Sequence, residues 1–128
     1  MLEIRPASYD FEEWKKILNI RNLTRQGFGN TEKISVDTHF YFMKEHYSNY
    51  VVALMDDELV GFGGVVADDI RVAVHPDHQG IGIGKNIISF LSVKFPEAFA
   101  KVKVDNEASI KLFESCGFEK TWYILEKK

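Results

Sequence analysis

The segment Val74-His-Pro-Asp-His-Gln-Gly-Ile-Gly-Ile-Gly-Lys85 decides how the rest of the sequence is interpreted. Its three glycines, Gly80, Gly82 and Gly84, occupy alternate positions between a β-rich run and an amphipathic helical run. Glycine lets successive backbone N–H groups point into one concavity and lets a ligand approach the main chain closely. The positive end of the following helix strengthens such a site. The segment therefore predicts a turn that binds phosphate or pyrophosphate, with Lys85 adding a positive charge.

Two better-known phosphate motifs do not fit this segment. A P-loop would need glycine at position 79 and serine or threonine at position 86, but the chain has Gln79 and Asn86. A dinucleotide fingerprint on Gly80 and Gly82 would need glycine or alanine where Lys85 stands. A turn that uses glycine for its geometry alone is the remaining alternative.

Hydrophobic periodicity outward from the segment predicts a mixed sheet. The predicted strands are residues 2–5, 50–55, 58–66, 70–74, 98–104 and 118–125, and the predicted helices lie near residues 11–18, 35–47, 83–95 and 106–116. Asp56-Asp57 is expected to join two strands in a hairpin. The strand–helix–strand order after residue 70 predicts a parallel pair with a crossover. We expect one domain, residues 1–128, with helices on both faces of the sheet.

Composition narrows the functional class. The formal charge of −3 argues against a nucleic-acid partner, which usually needs a basic face. The longest apolar stretch, residues 59–67, is too short to span a bilayer, and the N-terminus lacks the pattern of a signal peptide. Cys116 is the single cysteine, so no intramolecular disulfide can form. These features predict a cytoplasmic protein without a membrane partner, and no set of metal ligands is predicted.

Two motifs resemble those of the GNAT acetyltransferases. The strand at residues 70–74, followed by Gln79-Gly-Ile-Gly-Ile-Gly84, resembles the family's motif A, Gln/Arg-x-x-Gly-x-Gly/Ala. Downstream, Asn106-Glu-Ala-Ser-Ile-Lys-Leu-Phe-Glu-Ser-Cys-Gly-Phe118 resembles its motif B, which has Asn-x-x-Ala, an aromatic residue and then Gly-Phe. The resemblance implies a GNAT-like fold of the α/β class, or α+β, with a mixed parallel and antiparallel sheet of about six or seven strands. It also implies helices on both faces and a central parallel pair that splays apart.

The resemblance implies acetyl-CoA as co-substrate. The backbone amides expected to hold its pyrophosphate belong to Gln79, Gly80, Ile81, Gly82, Ile83 and Gly84, next to Lys85. Val72, Ala73 and Val74 are expected to pair with the pantetheine arm. Asn106 would hydrogen-bond to pantetheine, and it would also serve as an ordinary helix N-cap. Phe113 belongs to the same expected cofactor site, because it stands where the family usually has a tyrosine.

The family's chemistry is direct attack of an amine on the thioester within a ternary complex. The resemblance implies that a backbone N–H near Val74 polarises the thioester carbonyl. Phe113 cannot donate a proton, so the usual tyrosine acid is missing. Asp69 and His39 are candidate general bases, and core packing is the alternative for His39.

The first half of the chain suggests an acceptor. Arg21-Asn22-x-x-Arg25 and Ile34-Ser-x-Asp-x-His39 resemble the acceptor half of bacterial amino-sugar N-acetyltransferases, such as those of pseudaminic acid biosynthesis. The resemblance implies that Arg21, Asn22, Arg25 and His39 bind a nucleotide-linked amino sugar. A solvated helix end is the alternative reading of the arginines.

Other functions stay open at this point. Ribosomal-protein N-terminal acetyltransferases share a similar Arg-Asn signature, so a peptide amine is a second candidate acceptor. A catalytically silent acyl-CoA-binding module that regulates a partner is a third reading, which Phe113 favours. The chain also ends after one predicted strand beyond Phe118, which leaves a sheet edge for the second subunit of a possible homodimer.

Overall fold

The computed structural model describes residues 1–128 and contains one antiparallel sheet. Its four strands are β1 (Leu2–Pro6), β2 (Tyr50–Met55), β3 (Glu58–Val66) and β4 (Asp69–Val74), in the order β1-β2-β3-β4. The β2–β3 hairpin turns at Asp56 and Asp57, as the sequence predicts. The β3–β4 hairpin turns at Ala67 and Asp68. All four of these turn residues have positive φ, which suits the right-handed twist of two-residue hairpins.

Four α-helices flank the sheet, and their caps explain where most of them begin. They are α1 (Phe11–Leu23), α2 (Val36–His46), α3 (Ile83–Lys94) and α4 (Glu107–Ser115). The side chains of Asp10, Ser35 and Asn106 accept hydrogen bonds from the first-turn amides of α1, α2 and α4. No side chain caps α3, which begins after Gly82. None of the helices has both the length and the apolar character needed to cross a membrane.

The sheet separates two hydrophobic clusters. On one face, α1 and α2 pack through Trp14 and Met43 against Phe62 and other sheet residues. On the opposite face, α3 packs through Ile87 and Leu91, together with α4, against the other side of the same strands. Helices therefore cover both faces of the sheet. The helices α1 and α2 and their sheet contacts form the α1–α2 cluster, and α3 and α4 with theirs form the α3–α4 cluster. Strand β4 lies at one edge of the sheet.

The prediction of six or seven strands with a splayed central parallel pair is wrong. Residues 98–104 run beside β4, but they form only one parallel bridge, between Asp69 and Phe99. Residues 118–125 form no strand. An extended segment becomes part of a ladder only where its N–H and C=O groups meet a neighbouring chain. Residues 102–104 and 119–125 have the composition of strands but no neighbour to pair with in this chain.

Candidate functional site

The main chain from Gln79 to Gly82 forms an open loop at the N-terminus of α3, which we call the glycine loop. Gly80 has φ of 82° and Gly82 has φ of 90°, values that residues with a side chain rarely adopt. A Cβ atom at either position would meet no heavy atom within 4 Å. The N–H groups of residues 79–82 donate to no backbone acceptor, and the first-turn N–H groups of α3 have no side-chain cap. The loop therefore offers a row of free donors at the positive end of a helix, which is what an anion site requires.

The third glycine of the segment has a different function. Gly84 is buried in the first turn of α3, and a Cβ there would lie 3.1 Å from a methyl carbon of Leu112 on α4. Its missing side chain lets the two helices pack closely. The neighbouring Lys85 is exposed and forms no ion pair, so its ammonium group is free. Gln79 ties the loop to the end of β4, because its side-chain amide donates to the Val74 carbonyl at 3.0 Å.

One edge of β4 is open next to this loop. The N–H of Ile70 points away from β3 and donates to the Phe99 carbonyl at 2.8 Å, whereas the N–H of His75 donates to Val60 of β3. Strand N–H groups alternate in direction, so those of Val72 and Val74 point to the same open side as that of Ile70. The N–H of Ala73 points to β3, and its side chain is buried in the α1–α2 cluster. Val72 and Val74 can therefore pair with a ligand through the backbone, and Ala73 cannot.

Residues 98–104 form the far side of this opening. Phe99 donates its N–H to the Asp68 carbonyl at 2.8 Å, and the N–H of Lys101 donates to a carboxylate oxygen of Asp69 at 3.2 Å. Beyond Lys101 no hydrogen bond joins the two segments. Val102 still packs against the α3–α4 cluster. Asp69 thus holds residues 98–104 against the start of β4. From there to the loop at residues 79–82, the open edge of β4 has no hydrogen-bonded neighbour, and we call this stretch the slot beside β4.

Asn106 acts as the N-cap of α4, and part of its side chain stays free. Its carbonyl oxygen accepts a hydrogen bond from the Ser109 N–H at 3.2 Å. Its amide nitrogen donates to no group of the protein, and it lies 3.8 Å from where a Cβ of Gly27 would be. The loop between α1 and α2 therefore comes close to the start of α4, with a free amide donor between them.

Phe113 is a core residue of α4. It is 7% exposed, and its ring meets that of Phe118 edge to face at 5.2 Å between centroids. It has no group that could protonate a leaving thiolate. The half-buried Cys116 also lies on this helix end and forms no disulfide.

The side chains of Arg21 and Asn22 hold the loop between α1 and α2. Arg21 is 6% exposed, and its guanidinium donates to the carbonyls of Asn30 and Glu32. Burial lowers the pKa of Arg21, and the charge of Arg25 lowers it further. The Asn22 amide donates to the Ile34 carbonyl at 3.1 Å and accepts from the Ile34 N–H at 3.0 Å. The terminal guanidinium nitrogens of Arg21 and the side-chain amide of Asn22 are therefore engaged within the protein. The side chain of the half-buried Arg25 forms no hydrogen bond or ion pair.

His39 joins α2 to α1. Its ring is 5% exposed, and its Nε2 lies 2.8 Å from the Trp14 carbonyl oxygen. A carbonyl only accepts, so Nε2 carries the proton. Burial lowers the pKa of His39, the hydrogen bond to Trp14 opposes this, and the charge of Arg21 lowers the pKa further. The imidazole is therefore neutral at pH 7 and lies in the contact between α1 and α2.

A row of residues across the sheet was missed by the sequence analysis. Tyr50, Gly64 and Arg71 stand directly opposite one another on β2, β3 and β4, so their side chains share one face. A Cβ on Gly64 would lie 2.5 Å from the Tyr50 ring, so the ring lies across this glycine. Burial raises the pKa of Tyr50 to about 12, and the nearby Arg71 opposes the rise.

Arg71 is a half-buried cation on the α1–α2 side of β4. Its guanidinium lies 5.9 Å from the centroid of the Phe42 ring, and no carboxylate lies within 4 Å of its nitrogens. A partly desolvated charge without an anionic partner suits an anionic ligand. The signal was present in the sequence, because Arg71 is the only charged residue of the apolar run 70–74.

Two surface clefts lie along α1, and neither contains the glycine loop. The larger, of about 380 Å³, includes Asn22 and Lys33. The second, of about 330 Å³, includes Lys16 and His75. Neither cleft is lined by residues of β4 or by residues 98–104.

Comparison with known proteins gives a match over most of the chain. A family model described as "Acetyltransferase (GNAT) family" matches residues 14–118. A curated protein of Mycobacterium leprae (strain TN), described as uncharacterized, is 31% identical over 58% of this chain. The match covers 24% of that protein, so the chain spans about a quarter of the length of this relative.

Solved structures share the fold. The ribosomal-protein-alanine N-acetyltransferase of Brucella melitensis superposes with a TM-score of 0.83 at 20% identity, covering 94% of this chain and 86% of that chain. The yncA protein of Salmonella typhimurium, solved with its cofactor acetyl-CoA, gives a TM-score of 0.81 at 23% identity, covering 92% and 79%. An N-acetyltransferase of Staphylococcus aureus Mu50 gives 0.80 at 21% identity, covering 93% and 84%.

Proposed function

The chain belongs to the acetyltransferase (GNAT) family, and we propose that it transfers the acetyl group of acetyl-CoA to a primary amine by direct attack in a ternary complex. The observation that carries this proposal is the row of unpaired N–H groups at residues 79–82, next to the open edge of β4. A structural neighbour from Salmonella typhimurium holds acetyl-CoA, which agrees with this choice of co-substrate.

The residues present fit the cofactor. Its pyrophosphate would take hydrogen bonds from the free amides of residues 79–82 and from the first turn of α3, with the Lys85 ammonium group nearby. Each charge-assisted hydrogen bond is worth about 1.5–3 kcal/mol. The amide groups of pantetheine would pair with the open-edge groups of Val72 and with the free Asn106 amide. When bound, acetyl-CoA supplies the activated acyl group.

Three steps of the proposed reaction need a group: stabilising the oxyanion, accepting the amine proton and protonating the leaving thiolate. The N–H of Val74 points to the open side of β4, where it can stabilise a developing oxyanion. We assign the general base to Asp69 acting through water, because one of its carboxylate oxygens makes no hydrogen bond. Asp69 and Val74 stand at opposite ends of β4, about 16 Å apart, which is too far for direct proton transfer from an amine held at Val74. His39 is the second candidate base, but its ring is committed to the contact between α1 and α2. Phe113 cannot donate a proton, so the leaving thiolate takes one from solvent.

For the acceptor, we propose a nucleotide-linked amino sugar. Arg25 and Arg71 are half-buried cations without carboxylate partners, and a diphosphate would satisfy them. Arg21 and Asn22 would act indirectly, by fixing the loop 24–35 that carries Arg25. A peptide amine is the second candidate, since the Brucella neighbour is named a ribosomal-protein-alanine N-acetyltransferase.

An acceptor panel tests this proposal. The protein is incubated with acetyl-CoA and UDP-linked amino sugars, peptides with N-terminal alanine, or neutral amines, and release of the CoA thiol is measured. We expect the nucleotide-linked amino sugars to give the highest kcat/KM. Arg25→Gln should raise the acceptor KM about tenfold or more, because one charge-assisted bond is lost. The affinity for acetyl-CoA should not change.

Lys44→Gln is the matched control, because Lys44 is exposed on α2 and forms no ion pair. Higher kcat/KM with peptides would contradict the amino-sugar assignment and favour the peptide acceptor. Tight binding of acetyl-CoA without thiol release for any amine would contradict catalysis and favour the silent module that Phe113 suggests.

A further inference from the structure

The phenol of Tyr50 is a buried hydrogen-bond donor that the reaction described above does not use. Its side chain is 3% exposed, and burial raises its pKa to about 12, so the hydroxyl keeps its proton at neutral pH. The charge of Arg71 and a hydrogen bond from Arg71 lower the same pKa by less, which places the guanidinium next to the hydroxyl. A guanidinium can only donate, so the O–H proton of Tyr50 is left without an acceptor in the protein.

Gly64 is the reason that the hydroxyl lies beside Arg71. Tyr50 stands opposite Gly64, and Gly64 stands opposite Arg71, on three neighbouring strands. A Cβ at Gly64 would lie 2.5 Å from the Tyr50 ring, so the ring crosses the middle strand at this glycine. Neighbouring strands are about 4.8 Å apart, and the length of a tyrosine side chain carries its hydroxyl over β3 toward β4.

Aromatic rings enclose this pair of donors. The Phe42 ring meets the Tyr50 ring edge to face at 6.0 Å between centroids, and the Arg71 guanidinium lies 5.9 Å from the Phe42 centroid. The Phe62 ring lies 6.2 Å from the Tyr50 ring on its other side. Surroundings of low polarity strengthen a hydrogen bond that is made there and make an unpaired donor costly.

The charged groups that face Tyr50 are Arg71 and Asp69. Asp69 stands two residues before Arg71 on β4, and one of its carboxylate oxygens accepts the Lys101 N–H at 3.2 Å. No carboxylate oxygen lies within 4 Å of the Arg71 nitrogens. Tyr50 and Arg71 therefore present donors to one place, and the group that satisfies them carries acceptor oxygens and negative charge.

We propose that Tyr50 is an acceptor-binding residue, whose O–H donates to the same phosphate group that the Arg71 guanidinium binds. This inference rests on the proposed transfer to a nucleotide-linked amino sugar, and it adds the residue that distinguishes such acceptors from smaller anionic amines.

The position of the pair along β4 supports a phosphate that lies far from the reacting amine. Arg71 stands three residues before Val74, which is about 10 Å along the strand, and the Val74 N–H is the proposed oxyanion donor. The anionic group and the amine of the acceptor are therefore several bonds apart. A diphosphate and a ring amine of one amino sugar meet this condition, whereas the carboxylate and amine of an α-amino acid share one carbon atom.

Calorimetric titration of UDP tests the proposal without turnover. The protein is first saturated with CoA, so that UDP cannot occupy the glycine loop. Tyr50→Phe and Arg71→Gln should each raise the Kd of UDP about tenfold or more, because each removes one charge-assisted bond. Tyr41→Phe is the matched control, because Tyr41 is 73% exposed on α2, and its Kd should equal that of the wild type. Tyr50→Phe should also keep the thermal midpoint of the wild type, because no protein group accepts its proton.

Two further ligands identify the group that is bound. Uridine, which has no phosphate, should bind equally to the wild type and to Tyr50→Phe. Succinate should not compete with UDP, and competition at similar concentrations would assign the pair to carboxylates and overturn the proposal. Failure of UDP to bind the wild type would overturn it as well. A lower thermal midpoint for Tyr50→Phe with an unchanged Kd would show that the hydroxyl acts within the fold.

The acceptor KM separates this inference from the proposed function. If UDP-linked amino sugars are acetylated and Tyr50→Phe leaves their KM unchanged, the transferase proposal stands and the role of Tyr50 is wrong. If none is acetylated but the Kd of UDP rises in Tyr50→Phe and Arg71→Gln, the phosphate site stands and the choice of acceptor is wrong.

Discussion

At the residue scale, His39 shows how a candidate base becomes a structural group. Its Nε2–H donates to the Trp14 carbonyl inside the contact between two helices, and it is 5% exposed. Protonation would place an uncompensated charge in that contact, close to Arg21. The same burial that fixes the ring therefore keeps it neutral.

This burial predicts a pH dependence of stability. The folded-state pKa of His39 is lowered from 6.5, so the unfolded chain binds the proton first as the pH falls. The free energy of unfolding should be highest above pH 6.5. It should decline below that value, at up to about 1.4 kcal/mol per pH unit, until the folded-state pKa is reached. Urea unfolding between pH 7.5 and 5.5 measures the slope.

The control for this measurement is His39→Gln, which keeps a donor for the Trp14 carbonyl but does not titrate. Its free energy of unfolding should change less over the same pH range than that of the wild type. Equal slopes in the two proteins would show that other groups cause the dependence.

Some residue contacts were predictable from the sequence and others were not. Asn106 precedes a helical run, so its capping of α4 follows from local rules. The partners of Arg21 are carbonyls of Asn30 and Glu32, and every residue has a carbonyl. No side-chain pattern could therefore reveal that this arginine holds a loop.

At the element scale, the β3–β4 hairpin contains a strained turn. Ala67 and Asp68 have φ of 51° and 64°, in the left-handed region. Aspartate tolerates this region through its short polar side chain, but alanine has no such compensation. The corresponding turn between β2 and β3 uses two aspartates, Asp56 and Asp57.

Ala67→Gly should therefore stabilise the protein by about 1 kcal/mol, because glycine adopts positive φ without the clash of a Cβ. Thermal unfolding measures the change. Ala108→Gly is the control, since Ala108 lies in the first turn of α4, where glycine destabilises by up to about 1 kcal/mol. A lower midpoint for Ala67→Gly would mean that the turn is not strained.

The two missing strands show the limit of prediction at this scale. Residues 98–104 and 118–125 have strand-like composition, and local pattern alone predicts them as strands. Ladder formation depends on a neighbour, and the chain provides one for residues 98–104 only at Asp69. Hairpins, by contrast, carry their neighbour in the adjacent sequence, so the β2–β3 pair could be predicted.

At the scale of the whole molecule, the two faces of the sheet carry different parts of the proposed site. The glycine loop and α3 lie with the α3–α4 cluster, and Arg71, Tyr50 and the loop 24–35 lie with the α1–α2 cluster. The slot beside β4 is where the two halves meet. In the proposed reaction, acetyl-CoA enters from one half and the amine from the other.

The central claim is that the free amides of residues 79–82 bind the pyrophosphate of acetyl-CoA, and isothermal calorimetry of two matched variants tests it most directly. Gly82 and Gly117 have φ of 90° and 91°, and a Cβ at either meets nothing within 4 Å, so alanine strains both backbones alike. Gly82→Ala should weaken acetyl-CoA binding at least tenfold, about 1.4 kcal/mol. Gly117→Ala should leave the Kd unchanged. Equal Kd values for wild type, Gly82→Ala and Gly117→Ala would contradict the claim.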